Sequence, residues 1–423
     1  MVTKQTAASL LVLFLLAGSV GYADDWPRWR GPENSASVAT GNYPSVLDPS
    51  KVVWKVALPG KGCSTPIILN RTLFLTVPSE GEDAVLAYDM KGRKLWETRL
   101  GEEKEGRHRN GSGSNPSPIT DGKSLYVNYK SGTLAALDLM GKVKWKLNLV
   151  DQYGPVSLYW DYGTSPVLTR DHVVIARMHE GDSWLAAFDK ETGGLVWKVD
   201  RNYKTPREGD HGYASPQIIR HQGSDAILVW GTGHLTAHKP EDGSMLWSCG
   251  GFNPEEKALW PAVATPIVVG DMAVVPYGRN DRKLPRLHGI KLGGSGDVTS
   301  THRLWMRDDI SSFVPSPASY KGGVYLLRDR GEIECVDPVT GKNHWSAALP
   351  KDRSNYYASP LIAGGKLYAA REDGVVFVAD VEGEFRLLSE NDLGEPIIAM
   401  PVPFDGQILI KGTKNLFLFG SGS

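Results

Sequence analysis

From about residue 51 onward the chain is built of short runs of β-branched and apolar residues separated by Gly-Gly, Asp-Gly and Thr-Gly punctuation. The stretch from Ser359 to Asp380, SPLIAGGKLYAAREDGVVFVAD, shows the unit: three apolar runs divided at Gly364-Gly365 and Asp373-Gly374. Runs this short, closed by turn formers, predict strands joined by tight turns. A fourth run carries a tryptophan, as in LVWKV at Trp197, MLWSC at Trp247, RLWMR at Trp305 and NHWSA at Trp345, with Trp96 and Trp145 equivalent. One unit is therefore four strands, A to D. A large aromatic recurring at one register is read as packing, filling the wedge between neighbouring units.

The unit recurs. A Ser/Thr-Pro pair followed by an apolar run stands at Thr65-Pro66, Ser117-Pro118, Ser165-Pro166, Ser215-Pro216, Thr265-Pro266, Ser316-Pro317 and Ser359-Pro360, with Met400-Pro401 as a degenerate eighth. Successive prolines are 52, 48, 50, 50, 51, 43 and 41 residues apart, the length of one propeller blade. The last copy ends without a tryptophan strand, whereas Lys51 to Val56, KVVWKV, has the strand D pattern and precedes the first copy. This predicts an all-β, eight-bladed β-propeller of four-stranded antiparallel blades, its ring closed by an N-terminal strand that completes the last blade. Closure protects sheet edges that would otherwise invite pairing.

Composition agrees: 47 Gly, 27 Pro and 13 Trp in 423 residues favour many short strands and turns. A net charge of -1 leaves no footprint for nucleic acid. Residues 1–23 read as a signal peptide, with Lys4, an apolar stretch from Ala7 to Val20 and a small-residue cleavage site at Ala23. The apolar run is too short to span a bilayer, and Ser19 stands where a lipoprotein signal carries its modified cysteine. The expected organisation is a signal peptide at 1–23, an N-terminal extension at 24–50 and the propeller at 51–423, exported to the periplasm or outside the cell, monomeric and without a membrane span. Cys63, Cys249 and Cys335 are far apart and form no zinc or redox motif. His234 and His238 have helical spacing but fall in a turn and a strand, so they are not read as metal ligands.

The copies, of the form S-P, strand, G-G, strand, D-G, strand, T-G-x-x-x-W, resemble the PQQ-like propeller repeat of quinoprotein alcohol dehydrogenases and of the propeller subunit of the outer-membrane β-barrel assembly machine. Ala186 to Trp197 and Cys335 to Trp345 are clear examples. The segment from Trp26 to Pro32, WPRWRGP, also resembles the W-P-x-F-R-G-P opening of many exported PQQ-like propellers. For the dehydrogenases the resemblance implies an adjacent cysteine pair, a calcium ion, a stacking tryptophan and an aspartate base. No Cys-Cys pair exists here and no acidic cluster is placed for calcium. The assembly subunit implies a non-enzymatic scaffold. The reading is thus a non-catalytic binding or interaction module, with a PQQ-dependent quinoprotein dehydrogenase as the alternative and PQQ with calcium as the cofactor it would bring.

Function is expected where the repeats depart from one another, in the long D-to-A connections such as 101–115, 151–163, 201–214 and 353–358. These carry Tyr162, His211, Tyr213 and Tyr357. On the same face, the strand B ends align as Val77, Tyr129, Arg177, Trp230, Tyr277, Arg328, Arg371 and Lys411. Four cations in one ring repel unless paired or occupied by a ligand, and guanidinium groups suit carboxylates while aromatic faces suit planar or sugar rings. The expected partner is a small anionic or polyhydroxyl ligand, or an envelope protein. The insertion from Gly278 to Gly289 is read as a solvated loop.

Overall fold

A computed structural model describes residues 25–420, so the expected signal peptide lies outside the described residues. Eight blades of four antiparallel strands form the ring, and the sheets of blades 4 and 7 each gain a short parallel fifth strand, Gly296–Asp297 and Ser37–Val38. Blade 1 comprises strands A to D at Ile67–Leu69, Thr72–Ser79, Glu82–Asp89 and Lys94–Glu102. Blades 2 to 7 follow at 119–148, 167–200, 217–249, 267–307, 318–348 and 361–392. Blade 8 takes Val402–Phe404, Gln407–Lys411 and Asn415–Phe419 from the C-terminus, and Trp54–Ala57 as strand D. Trp54 lies opposite Leu418 in that antiparallel pair. The closing strand begins three residues later than expected because Pro49–Lys51 forms a 3-10 turn, held by Asp48 accepting the Ser50 amide at 2.9 Å.

Small buried residues on the C strands, such as Ala84, Ala135, Ala186 and Ala237, let neighbouring blades pack closely. Farther out, strand D tryptophans of blades 1, 2, 3 and 5 bind each of these to the next. Trp96 donates its indole N–H to the Leu139 carbonyl at 3.1 Å, Trp145 to Lys190 at 2.8 Å, Trp197 to Pro240 at 3.0 Å and Trp305 to Pro338 at 3.0 Å. Each ring lies over the glycine of the facing turn: a Cβ on Gly141, at φ +86°, would come within 2.7 Å of Trp96. The T-G-x-x-x-W spacing therefore pairs the glycine of one blade with the tryptophan of its neighbour. Trp54 makes the same link across the seam, donating to Met90 at 2.9 Å, so the closing strand is joined to blade 1 like any other.

The insertion after Gly278 is not the solvated loop expected. Leu284–Lys291 is strand C of blade 5, paired along its length with Met272–Arg279, and only the turn at 280–282 is irregular. Its apolar alternation, hidden among basic residues, is buried from Pro285 to Ile290. The segment before the propeller also joins the ring. Ser37–Val38 pairs in parallel with Leu361–Ala363 of blade 7, Trp26 bridges Ile68 of blade 1, and the Thr120 amide of blade 2 donates to Pro27 at 3.0 Å. These bonds satisfy inner-strand backbone groups that the ring alone would leave facing the channel. Among the described residues no helix is long and apolar enough to cross a membrane.

Candidate functional site

The prolines of the repeat begin the inner strands, and the hydroxyl before each one faces the axis. The Thr65 amide donates to Ser117 Oγ at 2.9 Å, Ser117 to Ser165 at 2.9 Å, Ser165 to Ser215 at 2.9 Å and Ser215 to Thr265 at 3.0 Å. Thr265 continues to Ser316 at 2.9 Å, Ser316 to Ser359 at 3.0 Å, and Met400 returns to Thr65 at 3.2 Å. The circle lacks one link because Met400 has no hydroxyl to offer the Ser359 amide. Ser/Thr-Pro, legible in sequence as a repeat marker, is the part that ties the inner ends of the blades together.

Just below this circle the WPRWRGP segment fills the channel. Arg30 is fully buried and donates to the carbonyls of Pro266, at 3.0 Å, and Pro317. Burial lowers its guanidinium to about 9, which leaves it protonated at neutral pH. Gly31 holds φ +76° against the Trp26 ring, which a Cβ would meet at 2.6 Å. Trp29 reaches upward into the floor of a cavity of about 730 Å³ that occupies the rest of the channel. The cavity is lined by the hydroxyl circle, by D-to-A loops and by the ends of strands B and C.

The loop after blade 1 straps the mouth of this cavity. Asp161 accepts the amides of Arg107 and His108 at 2.8 and 3.0 Å and the Lys130 ammonium at 2.6 Å. Burial pushes the Asp161 carboxyl up, but Lys130 and the two amides outweigh it and hold it below the usual carboxylate range. On the far side Glu372 of blade 7 takes Arg109 at 3.1 Å and Asn110 at 2.5 Å. The strap presents His108 to Trp160, edge to face at 4.9 Å, and to Tyr357 at 6.1 Å. Burial and the neighbouring Arg109 lower the His108 pKa.

Of the residues expected at the site, Arg328, Tyr213 and Tyr357 line the cavity. Arg328 lies 3.7 Å from Glu334, and Tyr213 accepts the Trp160 amide at 3.0 Å. The other strand B ends turn between blades. Tyr129 donates to Ala84 at 2.9 Å and Tyr277 to Trp260 at 2.8 Å, while Trp230 packs on Phe252 and Tyr277. Arg177 lies over the rings of Tyr162 and Trp184, and Tyr162 itself is buried, donating to Ala176 at 3.2 Å. Arg371 pairs with Asp373 at 2.9 Å. Lys411 is buried, donates to Ser64 and Thr76, and burial drives its amine down to about 7. His211 is buried 4.0 Å from Asp210, and Val77 is core. In an antiparallel sheet one residue of register decides which face a side chain takes. Each cation of the supposed ring thus has its own local partner or ring face. Trp29, Asn110, Asn115, Phe313 and the hydroxyl circle line the cavity without having been expected among the ligand-binding residues. Their sequence signal was a small hydroxyl conserved from copy to copy in position, and polar loops of unequal length.

The family model described as outer membrane protein assembly factor BamB matches residues 35–182 and 295–386, more than half of the chain. The chain belongs to this family. A BamB of Bordetella pertussis strain Tohama I is 23% identical over 426 residues, covering 97% of this chain and 94% of that protein. Among solved structures, BamB from Moraxella catarrhalis superposes with a TM-score of 0.63 at 16% identity, covering 87% of this chain and 97% of that one. A europium-containing methanol dehydrogenase superposes with a TM-score of 0.72 at 11% identity, covering 95% and 98%. At these identities the two superpositions show a shared fold.

The BamB-family fold is thus shared with quinoproteins, so the fit of PQQ with calcium can be tested on the side chains. A calcium site wants six to eight oxygen ligands. Of the cavity carboxylates, Asp161 is bonded as above, Asp281 grips Arg279 at 2.9 and 2.7 Å, and Asp329 accepts the amides of Phe313 and Val314 at 3.2 and 3.0 Å. Among the described residues no three His, Cys, Asp or Glu side chains gather as a metal site. Cys63 lines the cavity alone, its thiol donating to the Asn110 carbonyl at 2.9 Å. The residues present do not fit the calcium-quinone pair.

Proposed function

We propose that this chain is a non-catalytic binding module of the cell envelope and that the strapped cavity is its ligand site, with Arg328, Tyr213 and Tyr357 in its wall. One observation carries this reading: a space of about 730 Å³, stoppered by Trp29 and Arg30, in which three of the four lining carboxylates, Asp161, Asp281 and Asp329, are engaged by cations and amides. Such a space holds a small molecule or an exposed segment of an envelope protein. Membership of a family described as an outer membrane protein assembly factor supports the envelope setting, and the signal-like residues 1–23 support export. The dehydrogenase alternative has the shared fold in its favour and the donor set against it.

Gly163 lines the cavity at an ordinary φ, with no atom nearer than 4.0 Å to an added Cβ, so Gly163→Trp fills the space without straining the backbone. Native mass spectrometry of protein purified from its own source should find a retained small molecule in the parent and none in Gly163→Trp. The same mass in both would place the ligand elsewhere. Calorimetric heat on adding PQQ with calcium would return the dehydrogenase reading.

A further inference from the structure

We propose that the cavity binds a neutral saccharide, one sugar ring lying on Trp160 at the mouth and its hydroxyls taken by the amide and hydroxyl groups of the wall. This rests on reading the cavity as the binding site.

The mouth carries an aromatic surface that folding alone does not use. Trp160 is 41% exposed, yet it is fixed by the Tyr213 hydroxyl on its amide and by edge contacts with Tyr159, at 4.7 Å, and His108. A large, rigid apolar face held toward solvent beside a cavity is the surface on which the C–H face of a sugar ring packs. Behind it the wall is rich in neutral groups. Asn110, Asn115 and Asn355 line the cavity, each pinned at one end: Asn110 Nδ2 on Glu372, Asn115 Oδ1 on Ser112, Asn355 Oδ1 on Arg330. The other end of each amide, like the hydroxyls of the circle, suits the paired donor and acceptor of a sugar hydroxyl.

Charge separates a neutral ligand from an anionic one. Arg279, Arg328 and Arg330 line the cavity against Asp161, Asp281, Asp329 and Glu332. Arg279 is gripped by Asp281, Arg328 faces Glu334, and Arg330 donates to the Arg353 carbonyl at 2.7 Å and to Asn355 at 2.9 Å. An anion entering here gains little net attraction and meets carboxylates; a neutral polyhydroxyl molecule loses nothing by the balance.

Calorimetry of the mature protein against cellotriose, maltotriose and chitotriose, with trigalacturonate as the anionic counterpart, tests this. At least one neutral trimer should bind, with affinity unchanged between low and high salt. Trp160→Ala should weaken it about tenfold while Trp160→Phe stays within about threefold, in proteins of unchanged melting temperature. Co-sedimentation with insoluble cellulose or chitin, lost in Trp160→Ala, would assign the same chemistry to a surface polymer instead of a free oligosaccharide. Absence of binding to every neutral saccharide, or tighter salt-sensitive binding of trigalacturonate, overturns the assignment. If the mass retained by native protein still disappears in Gly163→Trp while no neutral saccharide binds, the cavity stands as the site and only its ligand class falls. If neither occurs, both fall.

Discussion

Asp83 ties stability to pH through a single buried carboxyl. It is buried in strand C of blade 1, one oxygen accepting the Ser131 hydroxyl of blade 2 at 2.5 Å. Burial pushes its carboxyl up to about 7, with Glu103 adding to the effect and Ser131 opposing it. The native state therefore holds this proton more tightly than the unfolded chain, in which the group titrates near the ordinary carboxylate value. Its stabilising contribution is complete below about pH 4 and is lost as pH rises through 7, at about 1.4 kcal/mol per pH unit across that window. Asp83→Asn should match the parent near pH 4 and exceed it at pH 8. Urea midpoints at the two pH values check this, and an unchanged difference between the proteins would show that Asp83 does not titrate as described. The same residue scale governs the strand B ends. Arg177 and Lys411 are cations in composition, but in place Arg177 is spent on the ring faces of Tyr162 and Trp184, and Lys411 of blade 8 on carbonyls of blade 1 and the residues before it.

Among elements, the N-terminal segment has a role that its lack of regular structure hides. Residues 26–38 cross the lower channel and bond to blades 1, 2, 5, 6 and 7 through Trp26, Pro27, Arg30, Ser35 and Ser37. The Trp26 ring can lie there only because Gly31 offers no side chain and accepts φ +76°. Gly31→Ala combines a left-handed backbone penalty with a clash, and should cost about 2 kcal/mol or more. Hydrogen exchange should report it as lost protection at residues 26–38, with the blades' C strands unchanged. Uniform loss of protection would mean that the segment is part of one cooperative unit with the whole ring.

At the scale of the molecule, stability depends on a seam where the two ends of the chain meet. Trp54 closes it in the way Trp305 joins blades 5 and 6, by an indole N–H to a carbonyl of the next blade. Trp54→Ala and Trp305→Ala should each cost about 2 kcal/mol, since both rings are partly buried. They should differ in where the molecule loosens. Only Trp54→Ala should speed amide exchange in 402–419 together with 54–57, because those strands share one sheet. Equal loosening around the ring in both variants would mean that the seam is no weaker than any other joint.

The repeat, its count of eight, the four strands of each blade and the closing strand near Trp54 were all determined by the sequence itself. The blades depend on interactions within a few tens of residues, which apolar alternation with turn residues records directly, and the closing strand was legible because it carries the strand D pattern that the last copy lacks. The tryptophans were legible as packing for the same reason, recurring at a constant register in strand D of every blade but the seventh. What lines the channel was decided only by the tertiary structure. Whether Arg328 faces the cavity and Arg177 the rings of Tyr162 and Trp184 depends on strand twist and on the angle between sheets, which a one-residue shift reverses. The strap reaches from Arg109 to Glu372 across 263 residues, and Arg30 meets Pro317 across 287. Contacts of that span leave no local pattern in the chain. They exist because a closed ring brings the first and last blades, and the segment before them, around one axis.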